Sequence, residues 1–185
     1  MKKVLTILLL CILCIPAFAD CNADYKEGDV IFIISKSKQS PLIQYATRSP
    51  WSHCGIVVYK KGEPYVLEAS NVVKLTHLNE FCRKGRLGAT VQMRYTDKPI
   101  KISYSKYLGK PYDLQFSMKN NRYYCSELVW IIYKEQLGVE LCKPKPLSKY
   151  RTFGLDKVLK KRGISKKSLF VAPIDLLLSD KLHGA

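Results

Sequence analysis

Tyr123-Tyr124-Cys125-Ser126-Glu127-Leu128-Val129-Trp130 places a cysteine where the chain turns into a helix. From Cys125 to about Leu137 the apolar residues Leu128, Val129, Ile131, Ile132 and Leu137 recur near helical spacing. Gly138 supplies a stop, and the polar run Lys119-Asn120-Asn121-Arg122 precedes it. Cys125 is thus a first-turn residue. The free N–H groups and the positive end of the helix dipole favour a thiolate there, and such settings lower a cysteine pKa to roughly 3.5–7.5. A free cysteine is equally at home as a small buried hydrophobe, so helix position alone leaves both readings open.

The second piece of chemistry lies upstream. A strand pattern from Cys54 to Tyr59, a turn at Lys60-Lys61-Gly62-Glu63 and a second strand from Tyr65 to Ala69 form a hairpin. His53 stands at the mouth of the first strand and Glu68 lies in the second. With a loop of two or four residues they share a face as opposite or diagonal neighbours; a three-residue loop would separate them. A buried glutamate requires a partner, so either His53 or a basic residue is its expected mate. Thiol, imidazole and carboxylate together make a set in which the ring shuttles a proton and the carboxylate fixes its tautomer. Tyr124 and Trp51, next to the cysteine and near the histidine in sequence, are candidate pocket residues, with core packing the alternative for Tyr124.

The 185 residues suffice for one domain with a core. Met1-Lys2-Lys3, an apolar run from Val4 to Ile15 and Ala17-Phe18-Ala19 read as a secretory signal peptide cleaved after Ala19, too short to span a bilayer. That divides the chain into a leader, 1–19, and a single domain, 20–185, with a secreted or periplasmic destination and no transmembrane segment in the mature chain. The Cys11/Cys14 spacing leaves with the leader. Losing Lys2 and Lys3 lowers the formal charge from +16 to +14 and leaves five of seven cysteines. With Cys125 as the odd thiol, Cys21, Cys54, Cys82 and Cys142 supply at most two disulfides, whose pairing the sequence does not choose. The positive surface suits an anionic membrane or cell-wall polymer; nucleic acid is not an expected partner after export.

The remaining elements are a strand at Val30–Ile34, a short helix from Ser40-Pro41 to about Ala46 and a strand at Val72–Leu75. A helix at Leu78–Cys82 and a strand at Ala89–Tyr95 follow, then a helix at Lys101–Leu108, a basic helix near Leu155–Lys161, a strand at Leu169–Val171 and a last turn or helix at Pro173–Leu178. Strands early and helices late imply an α+β fold. No G-x-S-x-G, H-E-x-x-H, P-loop or dinucleotide fingerprint occurs, and His77 and His183 lack ligand spacing, so neither a metal nor a cofactor is expected.

Gly28-Asp29-Val30-Ile31-Phe32, Ser52-His53-Cys54-Gly55-Ile56, Tyr65-Val66-Leu67-Glu68-Ala69, Gly109-Lys110-Pro111-Tyr112-Asp113 and Tyr124-Cys125-Ser126-Glu127-Leu128-Val129 resemble, in order, the motifs of the YiiX-like cysteine hydrolases. These are bacterial members of the circularly permuted papain-like, NlpC-type superfamily that includes lecithin retinol acyltransferase. The resemblance covers about Gly28 to Leu182. It implies a permuted papain-like fold with an antiparallel sheet packed against helices, Cys125 as nucleophile, His53 as general base and acid, and Glu68 as the residue orienting it. Cys54 should point away from His53. The implied substrate is an amide: a cell-wall peptide, or an N-acylated amino acid or lipid-like amide. An acyltransferase using the same acyl-enzyme and a non-catalytic basic binding protein are the alternatives.

Overall fold

The computed structural model describes residues 24–118 and 120–185. The expected leader, 1–19, and Cys21 lie outside the described residues. Six strands form one antiparallel sheet in the order β4-β3-β2-β1-β5-β8, from β1 (Val30–Ser35), β2 (His53–Lys60), β3 (Glu63–Ala69), β4 (Val73–His77), β5 (Gly85–Arg94) and β8 (His183–Gly184). The helices are α1 (Ser40–Thr47), α2 (Leu78–Arg83), α3 (Cys125–Ile132), α4 (Asp156–Arg162) and α5 (Pro173–Leu177), and β6 (Lys145–Pro146) pairs with β7 (Leu169–Phe170). This is the expected α+β arrangement.

Strand alternation splits the apolar residues between two layers. Val30, Phe32, Cys54, Ile56, Val58, Leu67 and Ala69 pack with Leu128, Val129 and Ile132 of α3 in the main core. Ile31, Ile33, Val57 and Val66 face the other way, onto Leu78, Phe81 and Cys82 of α2. The sheet is therefore covered on both faces, which is why β1 reads as an almost unbroken apolar run. Asp29, 1% exposed, accepts both Nε (2.9 Å) and Nη2 (2.8 Å) of Arg94. Such a two-pronged charged contact is among the stronger hydrogen-bond pairings.

The hairpin decides the site. Lys60 pairs with Glu63, so the loop is the two residues Lys61 (φ 53°) and Gly62 (φ 83°), both left-handed as a tight hairpin turn demands. The register runs through Ile56↔Leu67, which puts His53, Gly55 and Glu68 on one face. A Cβ at Gly55 would lie 2.4 Å from Val66 Cγ1 and 2.7 Å from the carbonyl oxygen of Leu67, a backbone atom that cannot swing aside. Gly55→Ala is therefore expected to destabilise the fold by about 2 kcal/mol and to spread His53 from Glu68. Urea denaturation of the variant should show a lower midpoint, and an unchanged midpoint would mean that the strands separate without cost.

Three expected elements differ. The helix predicted for Lys101–Leu108 is a single 3₁₀ turn, Ser105–Tyr107. Gln136 Nε2 donates to the Ser103 carbonyl (2.8 Å), the acceptor a helix would have offered to the Tyr107 amide, which turns to the carbonyl of Tyr104 instead (3.0 Å). The helix starting at Cys125 is α-helical to Ile132 and finishes as a wider π-turn from Tyr133 to Leu137, closed by Gly138 at φ 67°. β5 begins at Gly85, ahead of the predicted Ala89, because Gly85 pairs with Ser35 past a register shift in β1.

Candidate active site

Cys125 is the first residue of α3 and 3% exposed. Its approach is pinned from both sides. The Asp113 amide donates to the Tyr123 carbonyl (3.1 Å), and the Tyr123 amide to that of Pro111 (3.1 Å). The fully buried Asp113 carboxylate accepts the amides of Gln115 (2.9 Å) and Ser117 (2.5 Å) and the side-chain amide of Asn120 (3.2 Å). The Gly109–Asp113 motif thus reads as the clasp that delivers Cys125. Glu127, the first-turn acid expected from sequence, folds back so that Oε2 accepts the Tyr124 amide at 3.2 Å, and burial pushes its carboxyl up to about 8.

His53 opens β2, and its Nε2 lies 2.6 Å from Oε2 of Glu68. The ring stacks on Phe81 of α2 at 5.5 Å between centroids, so its plane is fixed by packing as well as by the carboxylate. Nδ1 is the ring nitrogen left for Cys125. Burial opposes a charged imidazole, but the hydrogen bond and charge of the Cys125 sulfur, followed by those of Glu68, override it and raise His53 to about 9. The Cys125 thiol moves the other way, well below its ordinary value. The hydrogen bond from the Cys54 thiol is the largest cause; the bond and charge of His53 and the backbone N–H of Cys54 add to it against the opposing effect of burial. Both shifts favour the thiolate–imidazolium form of the pair.

Glu68 is fully buried, as an unpaired carboxylate would not be. Sequence offered either His53 or a basic residue as its mate, and the structure supplies both. Oε1 accepts the Thr76 hydroxyl and the Lys84 ammonium, the latter from the end of α2, while Oε2 faces His53. Against the cost of burial, His53, then Lys84 and Thr76, hold its carboxyl at about 2. Glu68→Gln is expected to cost about 2 kcal/mol of stability at neutral pH by removing the nearer of the two counter-charges of Lys84, Glu80 at 4.0 Å being the other, and about 10- to 100-fold in activity. Since folding lowers this carboxyl, its stabilisation is complete above about 4.5 and lost as pH falls toward about 2. The stability gap between wild type and Glu68→Gln in urea melts should therefore narrow at low pH; a gap independent of pH would contradict this account.

Thr76, Lys84 and Cys54 were not picked out from the sequence as site residues. Thr76 and Lys84 come from separate elements with no motif of their own. Cys54 does point to the opposite sheet face from His53, as expected, but α3 lies over that face and its first residue is Cys125. Burial and the neighbouring Cys125 push the Cys54 thiol well up, so it stays protonated and donates. Of the two roles open to Tyr124 from sequence, its surroundings favour core packing: its ring stacks on Phe170 (5.1 Å), its hydroxyl accepts the Val171 amide (3.1 Å), and it is 1% exposed. Trp51 is half-buried against the main core. Cys54 and Cys142 are free, so neither enters the disulfides allowed by the cysteine count, whereas Cys82 is disulfide-bonded.

A cleft of about 340 Å³ reaches His53 and Glu68; Ser52, Asn71 and Tyr112 are among its walls. Among the described residues no three His, Cys, Asp or Glu side chains converge as a metal site would require, and no helix is long and apolar enough to cross a membrane.

Comparison with known proteins follows the same lines. The YiiX protein of Escherichia coli K12, itself described as uncharacterized, is 35% identical over 94% of this chain and 93% of its own length. A crystal structure of YiiX from Escherichia coli O157:H7, described there as a metalloprotein, superposes with a TM-score of 0.77 at 34% identity, covering 86% of this chain and 96% of that one. Residues 24–182 match the model of the permuted papain-like amidase enzymes YaeF/YiiX, the C92 family. The order of the motifs, the covered sheet with Cys125 heading its helix, and these matches over most of the chain lead to one conclusion: the chain belongs to the permuted papain-like amidase family of YaeF and YiiX.

Proposed function

We propose that the protein is an exported cysteine amidase in which Cys125, His53 and Glu68 act as nucleophile, acid–base and orienting carboxylate. The observation that carries this reading is the buried hydrogen bond from His53 to Glu68 (2.6 Å) together with a cysteine at a helix start, whose thiol and the His53 ring shift each other toward the charged forms. The Cys125 sulfur attacks the amide carbonyl, and the oxyanion that forms meets the backbone N–H of Cys125 at the positive end of α3. His53, already protonated, gives its proton to the departing amine as the acyl-thioester forms. The neutral imidazole then takes a proton from water, whose oxygen attacks the thioester and releases the acid. Glu68 keeps the ring in place through both steps, and Thr76 and Lys84 keep Glu68 in place.

Hydrolysis is favoured over acyl transfer by the cleft, whose walls include Ser35, Ser37, Ser52, Ser70 and Asn71 and admit water. The substrate is a peptide or N-acyl amide of the cell envelope, reached after removal of residues 1–19, with the basic surface drawing the enzyme toward anionic envelope polymers or membrane. The test is to mix the enzyme with chromogenic amides of acylated amino acids, quench in acid and weigh the intact protein. Release of the amine with a transient acyl mass on the peptide containing Cys125 is the expected result. Amine release without any adduct, at a rate unaffected by blocking Cys125 with an alkylating reagent, would refute it.

A further inference from the structure

The cleft beside His53 holds more positive charge than the reaction uses. The thiolate, the imidazolium, Glu68 and Lys84 carry one unit each and cancel as two pairs. Among the described residues Glu68 is also the only carboxylate lining the cavity, and its oxygens are already taken by His53, Thr76 and Lys84. Two further cations, Lys36 and Lys74, line the same cavity. Lys74 pairs directly with Glu68 in the β3–β4 register, so its side chain rises from the same sheet face, and it has no ion-pair partner among the described residues. Lys36, on the loop after β1, gives one hydrogen bond to the carbonyl of Arg83 (2.9 Å) and has no carboxylate partner among the described residues. The side-chain oxygen of Gln39, at the entry to α1, is buried without a hydrogen-bond partner on the same wall. A concave site with two uncompensated cations and an unsatisfied amide is built for a ligand that brings negative charge and a polar group.

We propose that Lys36 and Lys74 form a carboxylate-recognising subsite, so that the preferred substrate is an amide with a free carboxylate close to the scissile bond, such as an N-acyl amino acid or the acidic end of a peptide. This rests on Cys125 being the nucleophile. The carboxylate lies between the two ammonium groups, and the terminal amide of Gln39 meets a polar group of the substrate backbone. A neutral lipid-like amide gains nothing from these cations, and a substrate with a basic group at this point is repelled.

The test needs no substrate. Iodoacetate and iodoacetamide alkylate a thiolate by the same displacement, in which sulfur bonds to the methylene carbon and iodide leaves, but only iodoacetate is an anion. The ratio of their rates at Cys125, at pH 7 and low salt, therefore reads the field of the cleft. Each cation at roughly 10 Å in a water-like dielectric changes an anion's rate about two-fold, so the ratio should fall about four-fold in the Lys36→Gln/Lys74→Gln variant. At about 1 M salt, where the screening length is roughly 3 Å, the difference should vanish. A ratio unchanged by the double substitution overturns the subsite and leaves the nucleophile assignment standing. Wild-type labelling with the pH profile of an ordinary thiol overturns the nucleophile assignment, and the subsite with it. A hydrolysis readout separates recognition from folding: the double variant should raise KM for an N-acyl amino acid several-fold, keep kcat, and leave KM for the methyl ester of the same compound where it was.

Discussion

Cys125→Ser is expected to lower amide hydrolysis by at least about 10³-fold, on the scale seen when a nucleophile is removed from a cooperating set. The substitution deletes little volume, and α3 should form as before. What it removes is an ionised sulfur: a serine hydroxyl in the same place is not ionised by a neighbouring imidazolium. A second consequence gives a readout independent of any substrate. The hydrogen bond and charge of the Cys125 sulfur are the leading influences that raise His53 to about 9, ahead of Glu68. With the sulfur replaced, burial regains weight and the His53 pKa should fall by more than one unit, measurable by NMR titration of the ring. A His53 pKa that stays near 9 in Cys125→Ser would mean that Glu68 alone sets it, and that thiol and imidazole do not face each other as described.

His53→Ala is expected to reduce hydrolysis about 10²- to 10⁴-fold and to change the pH dependence of Cys125 alkylation. In the wild type the thiolate persists well below the range of an ordinary thiol, so labelling should stay fast from neutral pH into mild acid. Its hydrolytic activity should fall as pH rises through about 9, where His53 loses the proton destined for the leaving amine. Removing the ring takes away one hydrogen bond and one positive charge, and the thiol pKa must rise. It should not return fully to that of a free cysteine, because the Cys54 thiol and backbone N–H still donate to the sulfur. Labelling at pH 6 should therefore drop several-fold in His53→Ala and further in His53→Ala/Cys54→Ala. Identical profiles for wild type and His53→Ala would show that the helix start and Cys54 carry the activation by themselves.

The site was legible where local rules are strict. The turn at Lys60–Glu63 marks a hairpin in the sequence and limits its register to a few loop lengths; the structure selects the two-residue turn at Lys61-Gly62, which puts His53 and Glu68 on one face. Helical spacing after a polar run likewise fixes Cys125 as the head of α3. The sequence left a residue's role open, or misplaced it, where its partner comes from a distant segment. Tyr124 sits next to Cys125 in sequence yet turns into the aromatic cluster with Phe116 and Phe170, because the residue preceding α3 is extended (ψ 166°) and points its side chain away from that of Cys125. The helix expected at Lys101–Leu108 is lost because Gln136, a distant residue, takes the Ser103 carbonyl that a helical turn would need.

By itself, then, the sequence determined the main strands and helices and the helix-head cysteine, and narrowed the relation of His53 to Glu68 to a question of loop length, since each follows from turn chemistry or side-chain periodicity within a few residues. Only the tertiary structure decided what those groups experience. Packing α3 against one face of the sheet brought Cys54 beside Cys125, and packing α2 against the other brought Lys84 to Glu68 and Phe81 beneath His53. The physical reason is that protonation state depends on burial and on charges a few ångströms away, and proximity between elements 16 to 71 residues apart is a property of packing that no local pattern encodes.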